Sequence, residues 1–363
     1  MTTQLQINYK SIVTGAFIFL LTFLLATSGC KKTDTATAKR YQQVNLVSDV
    51  AGYGAARVDA NLTNAWGISI GPTGSFWISA NHSGSTVVYD RSGAQLLAPV
   101  NIPLGADLNG SSPTGVVYNG TSDFVISTNS QVGRFIYSTE DGIISAWSSG
   151  ISAVTVADQS SSNTVYKGLA LASVGSSNFL YASDFHNGKV DVYDSAFNLV
   201  HNKPFVDPNI PAGFAPFNIQ NIGGQLYVSY AKQKGPDNTD DLSGTGNGYI
   251  NIFSPSGVLV KRFASQGSLN SPWGIVKAPV GFGQVESAIL IGNFGDGKIS
   301  VFDANGSYQG QLKDSINNVI TIDGLWALNF PQNGIPSGDQ NQLFFTAGPG
   351  SETHGLFGYV KVR

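Results

Sequence analysis

The chain has 363 residues, 42% of them hydrophobic and 11% aromatic, which is ample for a sizeable core without disulfide staples. Only 12% are charged while 43 are glycine, a balance that excludes a charge-rich helical bundle and suits short strands joined by tight turns. Setting Lys10, Lys31, Lys32, Lys39, Arg40 and Asp34 aside from 20 basic and 23 acidic residues leaves 15 and 22, a net charge near −7 for the rest. That balance argues against nucleic acid as a partner, because phosphate backbones need clustered positive charge.

The N-terminus reads as a targeting segment. Lys10 precedes a mostly apolar run from Ile12 to Ala26, shorter than the ~20 residues of a spanning helix and of the length of a signal-peptide core. Thr27-Ser28-Gly29-Cys30 then supplies small residues ending in the only cysteine of the chain, and this resembles a bacterial lipoprotein signal, cut before a cysteine that is then acylated. Thr27 stands where leucine is usual, while Gly29 and Cys30 match. The expectation is a signal peptide over 1–29 and a flexible tether over 30–40, since Lys31 to Arg40 has no bulky apolar residue to bury. An uncleaved anchor or an incidental cysteine is the plainer alternative.

From residue 41 onward one pattern recurs: a short strand, a second apolar strand, a glycine-rich turn and an alternating third strand. Six copies open at Trp66, Thr114, Lys167, Phe217, Trp273 and Leu325, at spacings of 48, 53, 50, 56 and 52 residues. The second and third strands read, in order, FWISAN and STVVYD, FVISTN and GRFIYS, FLYASDF and GKVDVYD, QLYVSYAK and GYINIF, AILIGNF and GKISVFD, QLFFTAG and GLFGYVKV. Turns such as DRSG, SPSG and DANG lead to a fourth strand, which the last copy lacks. The unused QQVNLVSD (42–49) fills that gap. The period predicts an all-β, six-bladed propeller of four-stranded blades over 41–363, closed by an N-terminal strand in the last blade. A parallel β-helix usually has a shorter repeat, and two sandwiches would not give six like units.

In such a fold the loops between second and third strands open on one face around the channel. His82, His186 and His354 fall in these loops, with Asp184, Asp237, Asp240, Asp241, Asp296 and Glu352, and with Asn81, Asn129 and Asn293 at strand ends. Turn chemistry alone explains Asp, Asn and Gly at such places, and Asn81, Asn129, Asp184 and Asn293 read also as staples to the backbone of neighbouring blades. Taken together the face reads as a ligand site, to which Asn81, His82, Lys232, Asp240, Asp241 and Asp296 are assigned. Glu352 and His354, with His186 or Lys232 from across the face, form a candidate acid–base set if their side chains converge. The acidic loop from Pro236 to Gly248 offers Asp237, Asp240 and Asp241 to Ca²⁺ without EF-hand spacing. Phe185, Phe294 and Tyr230 are candidate stacking surfaces. No phosphate-binding loop, nucleophile elbow or zinc-spaced cluster is present in the sequence.

The Ser271-Pro272-Trp273-Gly274 opening and units such as Asn293 to Asp303 resemble NHL and gluconolactonase-like six-bladed propellers. More closely, NLVSD (45–49), NAWGI (64–68), YAKQ (230–233), IGNFGDG (291–297), DGLWAL (323–328) and the stretch from Glu352 to Gly358 resemble a family of secreted bacterial propeller proteins with no established reaction. The lactonase-like resemblance implies a divalent cation such as Ca²⁺, held by Asn129, Asp184 and Asn293, that polarises a carbonyl. The glutamate that those enzymes carry in the first blade has no counterpart, since Glu140 is the first glutamate of the chain.

The expected protein is thus a lipoprotein of the bacterial cell envelope, anchored in a bilayer through Cys30 and facing periplasm or exterior. Its propeller face binds a small molecule, a glycan or a protein. The alternative is a metal-assisted hydrolase or lyase at the same face.

Overall fold

The computed structural model describes residues 39–104, 111–282, 287–332 and 334–363. Six antiparallel sheets form blades around a channel. Blade 1 contains Ala65–Ile70, Phe76–Ala80, Ser85–Tyr89 and Gln95–Asn101, counted from the channel outward. Blade 3 is built in the same order from Tyr166–Val174, Ser177–Asp184, Lys189–Tyr193 and Leu199–Val200. Blade 4 comprises Phe214–Ile222, Gln225–Lys232, Gly248–Phe253 and Leu259–Ser265, and blade 5 comprises Pro272–Lys277, Ile289–Asn293, Ile299–Phe302 and Tyr308–Gln311. Blade 6 has Leu325–Asn329, Gln342–Ala347 and Leu356–Val362, and takes its fourth strand, Tyr41–Ser48, from the start of the propeller. Tyr41 pairs with Val362 and Ser48 with Leu356, so the first and last strands of the propeller close one sheet, as the sequence pattern predicts. A short strand, Arg57–Val58, extends that sheet in parallel.

Blade 2 departs from expectation. Its strands are Pro113–Tyr118, Phe135–Thr139, Ile143–Trp147 and Val154–Asp158, so GRFIYS, read as the third strand, supplies the second, whereas FVISTN, read as the second, gives only the Val125–Ile126 arm of a separate hairpin with Gln131–Val132. Both segments are apolar enough to be strands, and packing decides between them. The Phe135 ring stacks on Trp77 of blade 1 at 3.8 Å, while Phe124 and Ile126 of the hairpin are buried in the core shared with blade 3.

In every blade the innermost strand slips register by one residue at the same place, where Trp66, Thr114, Lys167, Phe217, Trp273 and Trp326 lie. Such a bulge re-aims a side chain, and here it builds a ring around the channel. The next residue is glycine in blades 1, 2, 3 and 5 because the strands crowd at the hub. A Cβ on Gly67 would meet the Thr114 carbonyl oxygen at 2.2 Å, and one on Gly115 the Leu169 amide nitrogen at 2.5 Å. Bonds between blades close the ring: Thr114 Oγ1 donates to the Tyr166 carbonyl at 2.8 Å, and Asn218 Nδ2 to that of Trp273 at 2.6 Å. Trp66 and Trp326 approach to 3.9 Å, Trp326 lies 5.9 Å from Trp273, and these buried indoles plug the channel.

Candidate functional site at the channel mouth

Four of the six ring positions are aromatic and one is threonine, which leaves Lys167 as the only charged member. The propeller buries its side chain to 3% exposure. A buried ammonium is costly unless paired, and Lys167 is paired. Its Nζ donates to Glu140 Oε1, stands 3.5 Å from Asp240 Oδ1, and sits 5.0 Å from the centre of the Trp66 ring. Burial opposes the charge on Lys167, but Glu140, Asp240 and Glu352 outweigh it, and its pKa stands above the ordinary lysine value.

Glu140 follows directly on the second strand of blade 2, at the strand end where blade 1 carries Asn81. Asn81 Nδ2 donates to Glu140 Oε2 at 3.0 Å. Asn64, just before the blade 1 ring position, extends the chain: its Nδ2 donates to Glu352 Oε2 at 3.0 Å, with longer contacts of 3.4 Å to Asn81 Oδ1 and 3.5 Å to His82 Nε2. Trp326 Nε1 donates to Asn64 Oδ1 at 3.0 Å and orients the carboxamide. The result is a continuous polar chain, Lys167–Glu140–Asn81–Asn64–Glu352, from blades 3, 2, 1 and 6. Beside it the Trp66 indole Nε1 is buried without a hydrogen-bond partner.

Glu352 reaches this chain from a turn in which Ser351 (φ 57°) and Glu352 (φ 67°) are both left-handed. Two successive non-glycine residues in that region are strained, a condition that persists where the surroundings enforce it and that is common at functional sites. Burial pushes the Glu352 carboxyl up to about 7. Lys167 and the Asn64 hydrogen bond pull it back, and the charges of Glu140 and Asp240 push it further up. Near neutral pH the group therefore exchanges a proton.

The long loop after Lys232 leans over the mouth. Gln233 Nε2 donates to the carbonyls of Phe185 (2.7 Å) and His186 (3.1 Å), and the His186 ring lies 2.9 Å from the Asp237 carbonyl. Asp240 is exposed beside Lys167, while Asp241 is half-buried, accepts from Ser271 Oγ, and has its carboxyl raised by desolvation. Between this loop and blades 2 and 3 runs a cleft of about 990 Å³ bordered by Glu140, Asp141, Asp158, His186 and Asp237. At the other end of the channel, beneath the indoles, a cavity of about 130 Å³ has no ionisable lining residue.

The proposed metal ligands do not come together. Asn129 lies on the extra hairpin between the first two strands of blade 2, at the opposite end of the blade from Glu140, where its side chain organises its own turn. Asp184 is fully buried and consumed by its surroundings, accepting from Thr164 Oγ1, the Val165 amide, and the Asn187 amide and Nδ2, with Lys189 at 3.4 Å. Asn293 likewise binds the Asn270 amide and the Ser268 carbonyl, so both residues staple the segment leading into their own blade. Among the described residues no three His, Cys, Asp or Glu side chains are grouped to hold a metal ion.

The acid–base set separates as well. His354 turns to the rim, where Nδ1 lies 2.9 Å from Asp49 Oδ2, and His186 stays with the long loop. Asp296 binds within its own turn to Lys298, and Lys232 is half-buried at the end of its strand. Phe185 and Tyr230 are buried core residues, while Phe294, partly buried, stacks on Trp326 at 3.9 Å. Of the sequence-assigned residues the mouth keeps Asn81, His82, Asp240, Asp241 and Glu352. Lys167, Glu140 and Asn64 were missed, although a lysine directly before glycine, where other copies have Trp-Gly, was visible in the repeat. Cys30 lies outside the described residues.

Fold and site define a six-bladed β-propeller with a charged polar network at one channel mouth. Solved structures of the same shape include virginiamycin B lyase from Staphylococcus aureus (TM-score 0.53, 11% identity, 90% of this chain and 100% of that one). Two others are regucalcin, a calcium-binding protein from Agrobacterium tumefaciens (0.51, 13%, 83% and 91%), and the GH93 α-L-arabinofuranosidase of Fusarium graminearum (0.53, 14%, 88% and 97%). At these identities they show the fold alone. No family model matches the chain. The chain belongs to the family of two uncharacterised proteins of Acanthamoeba polyphaga mimivirus, each 35% identical over 84% of this chain and over 76% and 81% of their own lengths. These relatives are virus-encoded, so the bacterial and secreted character expected of the family is not among the features they show.

Proposed function

We propose that the protein binds a small polar ligand at the channel mouth, on the face that carries Glu140, Lys167, Asn64, Asn81 and Glu352. The observation that carries this reading is the pairing of the buried Lys167 with the half-buried Glu140 and its link through two carboxamides to Glu352. Ring closure does not require it, because the other five ring positions are uncharged and four are aromatic. Buried ionic networks are costly to assemble and are common at sites that recognise polar ligands. The test is a titration with neutral oligosaccharides, sugar lactones and short peptides, read by indole fluorescence, since Trp66 and Trp326 underlie the network. A saturable change that Glu140→Gln and Glu352→Ala abolish supports the reading. Binding by some panel member that neither variant affects sinks it.

A second reading, acid–base hydrolysis or elimination at the same mouth, is favoured by the Glu352 carboxyl near 7, the range of a working general acid. It predicts that Glu352→Gln keeps ligand affinity and loses turnover.

The setting proposed for this activity is the bacterial cell envelope, with Cys30 acylated and the mouth exposed to periplasm or exterior. The support is the Lys10–Cys30 sequence pattern alone. Metabolic labelling with a fatty-acid analogue that persists in Cys30→Ala would refute the anchor.

A further inference from the structure

Lys167 occupies an unusual place. One ammonium on the wall of the channel faces carboxylates delivered by three other blades: Glu140 from blade 2, Asp240 from the long loop of blade 4 and, near enough for its charge to act on the lysine, Glu352 from blade 6. Oxygen groups converging from several blades onto one positive centre is the arrangement that would otherwise call for a bound cation. We propose that Lys167 is the resident cation of the mouth: it gathers these carboxylates and, by filling their positive centre, bars the site to divalent metal ions, so that the ligand is an organic molecule held without a metal bridge.

Three observations lead there. The lysine stem runs where four of the other five blades place an aromatic ring and the fifth a threonine, so no feature of the fold demands an ammonium at that spot. The Nζ lies over the face of Trp66, whose π-cloud favours a cation in a largely dehydrated position. The carboxylates around it are otherwise tied only lightly: Glu140 to Asn81, Glu352 to Asn64, with Asp240 mostly solvent-exposed. Without the ammonium, Glu140 and Asp240, the two carboxylates that pair with it, are left uncompensated, and oxygen donors of that hardness suit Ca²⁺ or Mn²⁺.

The inference deepens the reading of this mouth as a binding site, but its test uses the metal alone, so the two can fail separately. Metal-stripped protein is titrated calorimetrically with Mn²⁺ and Ca²⁺ as wild type, Lys167→Ala and Lys167→Ala/Glu140→Gln. The expected result is no saturable site at the wild-type mouth, one site per chain at least tenfold tighter in Lys167→Ala, and its loss in the double variant. A folded Lys167→Ala protein that binds no better than wild type overturns the proposal. The wild type alone supplies a second measurement independent of that variant's folding: Mn²⁺ should leave the side-chain amide NMR signals of Asn64 and Asn81 sharp. Their paramagnetic broadening at stoichiometric Mn²⁺ would place a metal at the mouth and overturn it equally.

Discussion

Replacing Glu352 by glutamine should flatten the pH dependence of stability between about pH 5 and 8. The folded protein raises this carboxyl from 4.5 to about 7, a shift of about 2.5 pH units, or about 3 kcal/mol at ~1.36 kcal/mol per unit. Because the folded value lies above the unfolded one, the stabilisation is complete below about pH 4.5 and is lost as pH rises through 7. Partial solvent access to the carboxylate trims the expected loss to ~2–3 kcal/mol. Glutamine keeps an acceptor for Asn64 and has no proton to lose. Urea denaturation across this range should therefore show wild-type stability falling by that amount relative to Glu352→Gln. Asp141 and Asp241, also raised by burial, titrate in both proteins and cancel from the difference. Parallel pH curves for the two proteins would refute the assignment of a half-buried, proton-exchanging Glu352.

Other perturbations separate the roles of neighbouring groups. Lys167→Met should cost about 3 kcal/mol by leaving Glu140 uncompensated, and adding Glu140→Gln should restore part of it, with a coupling of about 2 kcal/mol in a double-mutant cycle; simple additivity would show the pair is not coupled. Asp184→Ala should lower stability by about 2 kcal/mol through its orphaned donors while leaving calorimetric Ca²⁺ and Mn²⁺ heats unchanged; a lost metal heat would reinstate a cation there. Deleting Tyr41–Ser48 should leave Leu356–Val362 as an exposed edge and abolish cooperative unfolding, and a soluble, cooperatively melting product would mean that the N-terminal strand does not close the ring.

Much of this molecule was legible before any coordinates. The near-50-residue period, the turn signals and the spare strand ahead of the first copy specified six blades, their closure and the face on which loops gather, because each is a local property of sequence repeated in register. Tertiary packing decided the rest. FVISTN and RFIYST are equally good strands by alternation, and only the fit of Phe135 against Trp77 selected the second, which carried Asn129 away from the mouth and brought Glu140 to it. Asp184 and Asn293 had the right residue types in the right loops, but their hydrogen-bonding capacity was already taken by backbone a few residues away in space. The mouth itself is assembled from one to three residues each of blades 1, 2, 3, 4 and 6, each unremarkable beside its sequence neighbours. A strand pattern reports which way a side chain points. It does not report which distant side chains the closed ring will set against it, and the electrostatics of Lys167 and Glu352 arise only from that meeting.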